Sequence, residues 1–535
     1  MEYLTFTILS SILVIIIVIF ILKNSNNRTL ANRIPGPNGW FLVGMLPLFL
    51  QGPEKLIKNL LREYRIYEKY IIKFWLFNNL YIVLTRLEDI ELVLSNQKFL
   101  RKSKDYIVLQ ESIMGQGIFS IDDIEKWKNN RKIVVRGFSF ASTNSFIPIF
   151  YQEANVLAKI LQEKCVLKSN ECNVSGPVSM ATMEMIGKTA LGVTFNAQTG
   201  GCNQFVEHLQ TAMHAWEYRI THPWYLNNTL FRFSSVKRKH DRSQKIINEF
   251  TNEIIKKKII EFTQNINNSA IKIEKDDEDC YPKPKTVLEI LLGSSHKMNH
   301  EQIRDEIVTI MIGGQETTTM TITCVIFMLA HHQDVQNKAH ILYFTNRYLH
   351  YVLLNSINLI KLQVFEELQS IFLNGDQNRV PTYKDFQQMK YVEMVIKETL
   401  RLFPPLPFLG RRLDEDKQIG EYMCPAGAAL IICPIFLQSS PLYYTDSEKF
   451  NPDNFLPDVC GNRHSYAYIP FGAGLRNCIG MKYAMLQIKT VISTLVRKIK
   501  FSPSDRCPTP EDLRLMFLMT LKLVDGCYVK IEPRT

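Results

Sequence analysis

The chain predicts a mainly α-helical fold with smaller β-sheets, set behind an N-terminal transmembrane helix. Three observations point there. Tyr3–Leu22 is an almost unbroken apolar run of about the length a helix needs to span hydrocarbon. Glu301–Ala330 and Tyr391–Phe403 have the spacing of long helices, and Leu80–Thr85 (LYIVLT) reads as a short strand. At 535 residues, 46% apolar and 21% charged, a large packed core is possible and disorder is not the default. The eleven cysteines are scattered, so they read as small buried hydrophobes rather than a disulfide framework.

Charge order sets the topology of the first segment. Glu2 precedes the apolar run, and Lys23 and Arg28 follow it. A cleaved signal would show a basic start and a small-residue cleavage site instead. The positive-inside rule leaves the rest of the chain cytosolic. Pro35-Gly36-Pro37 then gives a stiff, non-helical exit. The apolar patch Trp40–Leu50 suits either the membrane surface or the core. The net charge of +11, from 63 basic and 52 acidic residues, suits an anionic membrane or an acidic protein partner. No zinc-finger spacing or basic–aromatic run supports nucleic-acid binding.

Further along, helices are expected from Glu88, over Glu125–Gly137, over Ser179–Leu191 and through much of Asn203–Glu261, with a surface loop over Ile271–Lys285. Inside Glu301–Ala330, the run Gly313-Gly314-Gln315-Glu316-Thr317-Thr318-Thr319 consists largely of poor helix formers. It implies a close approach or a local distortion, and it sets a carboxylate beside a hydroxyl. Packing alone would explain the small residues but not Glu316. In Tyr391–Phe403, Glu398 and Arg401 stand three apart on one face and can pair. Pro404-Pro405 ends that helix, with Arg411 just beyond. Asp525-Gly526 resembles a hairpin turn.

Near the C-terminus, Phe471–Gly480 reads FGAGLRNCIG. It places one thiol, Cys478, among glycines and an arginine, with no second ligating side chain. Zinc or an iron–sulfur cluster would need more donors. The loop suits a cofactor that asks the protein for one soft donor, and haem is the obvious candidate.

These residues resemble the cytochrome P450 superfamily. Phe471–Gly480 fits its haem signature Phe-x-x-Gly-x-Arg-x-Cys-x-Gly at every fixed position. Glu398/Arg401 fits its Glu-x-x-Arg pair, Gly314–Thr318 its oxygen-side helix, and Trp127–Arg131 its Trp-x-x-x-Arg. The anchor and Pro35-Gly36-Pro37 are similar to its microsomal members, and VFEELQSIF and FLGRRLDED to family four and its insect relatives. The resemblance implies an anchor and linker over residues 1–32 and one catalytic domain over residues 33–535. Haem b would lie between the oxygen-side helix and the cysteine loop. Cys478 would be the iron's axial ligand, with Phe471 and Gly472 against the ring. Arg476, Trp127, Arg131 and Arg411 would hold the propionates. Glu316 and Thr317 would hold water and relay protons on the oxygen side. The implied reaction is R–H + O2 + two electrons + two protons giving R–OH + water. No segment resembles an NADPH or flavin site, so external NADPH would act through a separate cytochrome reductase, with cytochrome b5 as a further partner. The implied setting is the endoplasmic reticulum membrane, and the implied substrate is a hydrophobic small molecule: fatty-acid-like, terpenoid or xenobiotic. Its pocket would be lined from Ile107–Ile118, Phe205–Leu230 and the segment near Phe517.

Three departures matter. Gly313 stands where family-four enzymes often carry a glutamate that esterifies the haem, so the haem is expected without that link. Asn454, in Pro452-Asp453-Asn454-Phe455, replaces the usual arginine beside Glu398/Arg401. Ala339–Gln363 interrupts what would otherwise read as one amphipathic helix from DVQNK into VFEELQ. That stretch has no acidic residue and no turn of its own. It reads as a translated intron in preference to a real loop or membrane-contacting element. Two other functions compete with the monooxygenase: a haem-thiolate isomerase or dehydratase, which would not need the relay at Glu316 and Thr317, and a catalytically defective haem-binding membrane protein.

Overall fold

The computed structural model describes residues 25–40, 43–167, 170–272, 286–294, 297–337, 364–372, 378–517 and 519–534. The predicted anchor, the stretch 339–363 and nearly all of the predicted loop 271–285 lie outside them. Among the described residues no single helix is long and apolar enough to cross a membrane.

The expected helices form. The principal ones are α1 (Pro53–Ile66), α2 (Leu87–Ser95), α3 (Ile124–Val134), α4 (Ile147–Leu167), α5 (Ser175–Ile186), α6 (Asn203–Thr221) and α7 (Ser235–Lys272). After these come α8 (His300–His331), α9 (Gln333–Asn337), α10 (Val364–Phe372), α11 (Lys390–Leu402) and α12 (Met481–Lys498). Helix α8 is the central rod. Asn299 starts it with a capping box, its side chain taking the Gln302 N–H while Gln302 returns the bond. Beyond that cap nearly every side chain is buried, which is the pattern of a helix enclosed on all sides. Helices α5, α7, α11 and α12 pack around it.

The strands sit at the edges. β1 (Ile72–Leu76), β2 (Asn79–Leu84), β7 (Ala429–Ile432) and β4 (Leu409–Arg412) form one sheet in that order, with β2 and β7 parallel. A second sheet joins β3 (Glu171–Asn173), β11 (Tyr528–Pro533) and β8 (Ile499–Pro503). β5 (Lys417–Ile419) pairs with β6 (Tyr422–Cys424), and β9 (Leu515–Phe517) with β10 (Leu521–Leu523).

Of the two readings of Gly313–Thr319 the close approach holds, because helix α8 runs unbroken through it, whereas the reading of Asp525-Gly526 changes. A side chain at Gly314 would meet Ile186 Cδ1 of α5 at 2.6 Å. Asp525-Gly526 does turn, with φ +79° at Gly526, but it closes no hairpin. β10 on one side pairs with β9, and β11 on the other pairs with β3 and β8. Turn chemistry is local, whereas the choice of partner strand depends on the whole sheet. The cysteine reading holds for Cys172, Cys202, Cys324, Cys424, Cys433 and Cys527, all buried free thiols.

Helices α9 and α10 pack on each other although residues 338–363 separate them in sequence. The patch over residues 40–50 is split: Met45 and Phe49 line a cavity, while Trp40 is 71% exposed.

Candidate active site

The cysteine loop is shaped by its glycines and by the helix it enters. Gly472 and Gly474 both have positive φ, +65° and +68°. At Gly474 any side chain would strike the Leu94 carbonyl of α2 at 1.8 Å, so glycine is required there. The Cys478 N–H donates to the Phe471 carbonyl at 2.9 Å, closing the loop on itself. Gly480 caps α12, so the positive end of that helix lies beside the thiol. Burial raises the Cys478 thiol above its ordinary value, while the Gly480 N–H and the Arg131 guanidinium act to lower it. Phe471 packs against the main core.

Cations gather next to this loop. Arg131 donates to the Asn477 carbonyl at 2.9 Å and to Asn477 Oδ1 at 2.6 Å, tying α3 to the residue before the thiol. Trp127 is buried beneath Arg476, whose guanidinium carbon sits 4.3 Å from the ring centroid, and beside Arg131 at 5.7 Å. Arg411, on β4, is buried and donates to the Gly410 carbonyl at 3.1 Å. Lys102, which sequence reasoning missed, is buried over the rings of Tyr106 at 4.2 Å and Phe119 at 4.9 Å. Burial, then Arg411 and Arg476, push Lys102 well below its usual range. Burial and Arg411 likewise push Arg476 down to about 9.

A cluster like this is costly unless an anion is meant to meet it. Arg476 Nε and Nη1 are buried without a hydrogen-bond partner. Those orphaned donors, the charge and the neighbouring single thiol fit a flat cofactor with acidic side groups and an iron needing one soft ligand. Haem meets each requirement. Lys102 lies in Arg101-Lys102-Ser103-Lys104, a run that reads as a solvated charge cluster, so only its burial marks it.

The residues expected on the oxygen side are on α8. The Thr317 hydroxyl donates to the Gly313 carbonyl at 2.7 Å, one helical turn back. A side chain at Gly313 would meet nothing within 4 Å, so that face of the helix is open. Glu316 is buried and turned elsewhere: Lys522 Nζ of β10 donates to its Oε2 at 2.7 Å. Glu217 of α6 stands near the same lysine. Its burial, with Lys522 opposing and Glu316 reinforcing, raises it to about 7. Neither Glu217 nor Lys522 carries a local sequence signal, because each comes from a distant segment.

Glu398 and Arg401 are buried as a two-point ion pair, with both N···O distances 2.8 Å. Asn454 takes its place there, Nδ2 donating to Glu398 Oε1 at 3.1 Å. The pair lies behind the site as scaffold and touches no part of it.

An apolar cavity of about 190 Å³ opens between the β1–β2–β7–β4 sheet, α1 and α6. Leu109, Trp216, Ile220, Leu226 and Phe517 line it from the three expected regions; Phe74, Val83, Phe408 and Phe436 are unforeseen contributors. It reaches Tyr106 and Gly410, next to the cation cluster.

Comparison with known proteins agrees with this geometry. Cytochrome P450 is the family matched, over residues 34–341 and 352–527, and the match breaks inside the stretch 339–363. Cytochrome P450 4c3 of Drosophila melanogaster is 32% identical across 99% of this chain and 94% of its own length. Cytochrome P450 4c21 of Blattella germanica is 30% identical across 94% of each. Cytochrome P450 4V2 of Rattus norvegicus is 28% identical across 87% of this chain and 82% of its own length. A single-thiol loop facing buried cations, a helix open at one glycine, and similarity along nearly the whole chain converge on one conclusion: the chain belongs to the cytochrome P450 family of haem-thiolate monooxygenases.

Proposed function

We propose that this chain inserts one oxygen atom from O2 into a hydrophobic small molecule, fatty-acid-like, terpenoid or xenobiotic in kind. Electrons would come from a separate NADPH-dependent reductase, with cytochrome b5 as a second donor. The observation carrying the substrate reading is the apolar cavity that ends beside the cation cluster. The run Tyr3–Leu22 supports attachment to the endoplasmic reticulum membrane, and the excess of basic residues suits an acidic reductase.

In this reading Cys478 is the iron ligand and Phe471 and Gly472 lie against the ring. Trp127, Arg131, Arg411 and Arg476, joined by Lys102, hold the acidic side groups. When bound, haem supplies the iron at which O2 is activated. The chain's own part is orientation, exclusion of water and proton supply. Thr317 holds a hydroxyl proton at the open face made by Gly313, and Glu316 holds a carboxyl fixed by Lys522. Gly313 offers no carboxylate for an ester link, so the haem is held without one.

Two substitutions check these roles. Arg476→Leu removes the cation with two orphaned donors, and haem retained after gel filtration is expected to fall several-fold, about 1–3 kcal/mol for a lost charge-assisted contact. Unchanged retention would remove Arg476 from the cofactor's contacts. Lys522→Met frees the Glu316 carboxylate. Product formed per O2 consumed is expected to drop on the order of tenfold, a fraction of the ~10²–10⁴ a positioned acid contributes. Wild-type coupling in the variant would show that Lys522 does not position that acid.

The central test expresses the full chain with and without residues 339–363, reduces it, adds carbon monoxide, and then measures reductase-dependent oxygen use. A thiolate-type Soret band with substrate-stimulated turnover supports the proposal; the band without turnover favours an isomerase or dehydratase; loss of haem from both forms favours a defective protein. The domain reading, residues 33–535 as one catalytic unit with 339–363 as a translated intron, predicts that the shortened chain is the better holoprotein. The packing of α9 on α10 supports it, since the flanks already meet. A transcript that retains this stretch in every tissue would sink the intron reading.

A further inference from the structure

The apolar cavity has one polar feature whose chemistry selects among substrates. Among the described residues its lining includes two acids, Asp105 and Glu63, and no lysine, arginine or histidine. Tyr81 of β2 donates its hydroxyl to Asp105 Oδ1 at 2.8 Å, while the Tyr81 ring stacks on Phe74 with centroids 4.9 Å apart. The Asp105 carboxyl is therefore fixed within an apolar wall. An ionised carboxylate offers about four acceptor positions and no donor, so the bonds from Tyr81, Ser103 and its own backbone N–H still leave room for a donor from a ligand. Burial raises the Asp105 carboxyl, with Tyr81 and then Ser103 opposing. The adjacent Lys104 is exposed and not part of the lining. Glu63 is engaged with Arg62 at 3.4 Å.

A ligand carboxylate placed at Asp105 would meet a second acid, and the nearest cation of the cluster, Lys102, is held against the Tyr106 and Phe119 rings on the cofactor side, so the carboxylate would be costly in a low-dielectric wall. A hydroxyl or an ammonium would meet an acceptor that is already positioned. We propose that the substrate is a hydrophobic molecule whose polar end is a hydrogen-bond donor, an alcohol or an ammonium, received by Asp105, and that free fatty acids are disfavoured. This deepens, and rests on, the proposed oxidation of a hydrophobic small molecule. Asp105 acts as a specificity residue at the polar end of the ligand, away from the bond that is oxidised.

The test uses the full-length ferric holoenzyme at neutral pH and follows the ligand-induced spectral shift with decanol, decyltrimethylammonium and decanoate. These share a chain and differ in the end group, so the alcohol and cation arms separate hydrogen-bonding from charge. Decanol or the ammonium is expected to bind at least about tenfold tighter than decanoate, the scale of one hydrogen bond to a charged group. Asp105→Leu should bring the preferred ligand and decanoate to within about threefold, and Asp105→Asn should spare decanol more than the ammonium. Decanoate bound most tightly, an order unchanged in Asp105→Leu, or no binding by any of the three overturns the proposal. The reduced, carbon-monoxide-bound spectrum keeps the two failures apart. An intact thiolate band with the wrong ligand order rejects Asp105 alone, and a missing band rejects the haem reading together with it.

Discussion

Arg401→Met is expected to leave little or no soluble, haem-loaded protein, although Arg401 touches no part of the active site. Its guanidinium is completely buried and makes five hydrogen bonds. Nε and Nη2 reach the two Glu398 oxygens at 2.8 Å each; Nη1 reaches the carbonyls of Gln438 at 2.9 Å and Ser447 at 2.6 Å; Nη2 also reaches that of Lys449 at 2.9 Å. One side chain thus fixes α11 against the segment that leads into the cysteine loop. Methionine fills much of the volume but strands a buried carboxylate and three carbonyls. Breaking a buried pair in this way costs about 3–5 kcal/mol, a large part of the ~5–15 kcal/mol that holds a domain together.

The measurement is the urea midpoint of the haem-free variant, read beside haem content on expression. Glu398→Leu combined with Arg401→Met removes the stranded charge, so the double variant should regain part of the loss. A single variant as stable as wild type would show that the pair is not scaffold. Asn454→Ala is a much smaller change, about 1 kcal/mol, because Asn451 N–H still donates to the same Glu398 oxygen at 2.8 Å. The expected weakness at Asn454 is therefore softened by neighbours. Arg463 contributes as well: it donates to the Asn454 carbonyl at 2.8 Å and lies 4.2 Å over the Tyr444 ring, which Arg401 also contacts at 4.8 Å.

This pattern marks where the sequence could be read and where it could not. Cys478, the Glu398/Arg401 spacing and the Gly313–Thr319 run were legible because each places its chemistry within one turn or loop. The strand at Leu80–Thr85 is local in the same sense. Lys102, Glu217, Arg463 and Lys522 were not, since each acquires its meaning from residues far away along the chain. Lys522 sits in an ordinary alternating strand until β10 brings it to Glu316. Asp105 falls two residues before the expected lining segment begins at Ile107, and its role comes from Tyr81 on a different sheet strand. The Asp525-Gly526 misreading has the same origin: the turn is local and its strand partners are not.

Cys478→Ala is the second large effect, and here stability and chemistry should separate. The N–H bond from Cys478 to the Phe471 carbonyl belongs to the backbone, so alanine keeps the loop closure. The loss is one sulfur atom, and the haem-free protein should unfold within about 1 kcal/mol of wild type. Iron binding asks far more of the same position, because the thiolate is the only donor that Phe471–Gly480 supplies. The helix-end field of α12 and the Arg131 guanidinium favour that thiolate and offer nothing to a methyl group. The thiolate-type band should therefore vanish while circular dichroism and the urea midpoint stay close to wild type, and reductase-dependent product formation should fall below detection. Cys478→His adds a control that keeps a ligand but changes its kind: haem should return with an imidazole-type spectrum and without turnover. A thiolate band that survives in Cys478→Ala would mean that another cysteine ligates the iron. Cys324 and Cys527 are poor candidates, since each is enclosed in the packed core.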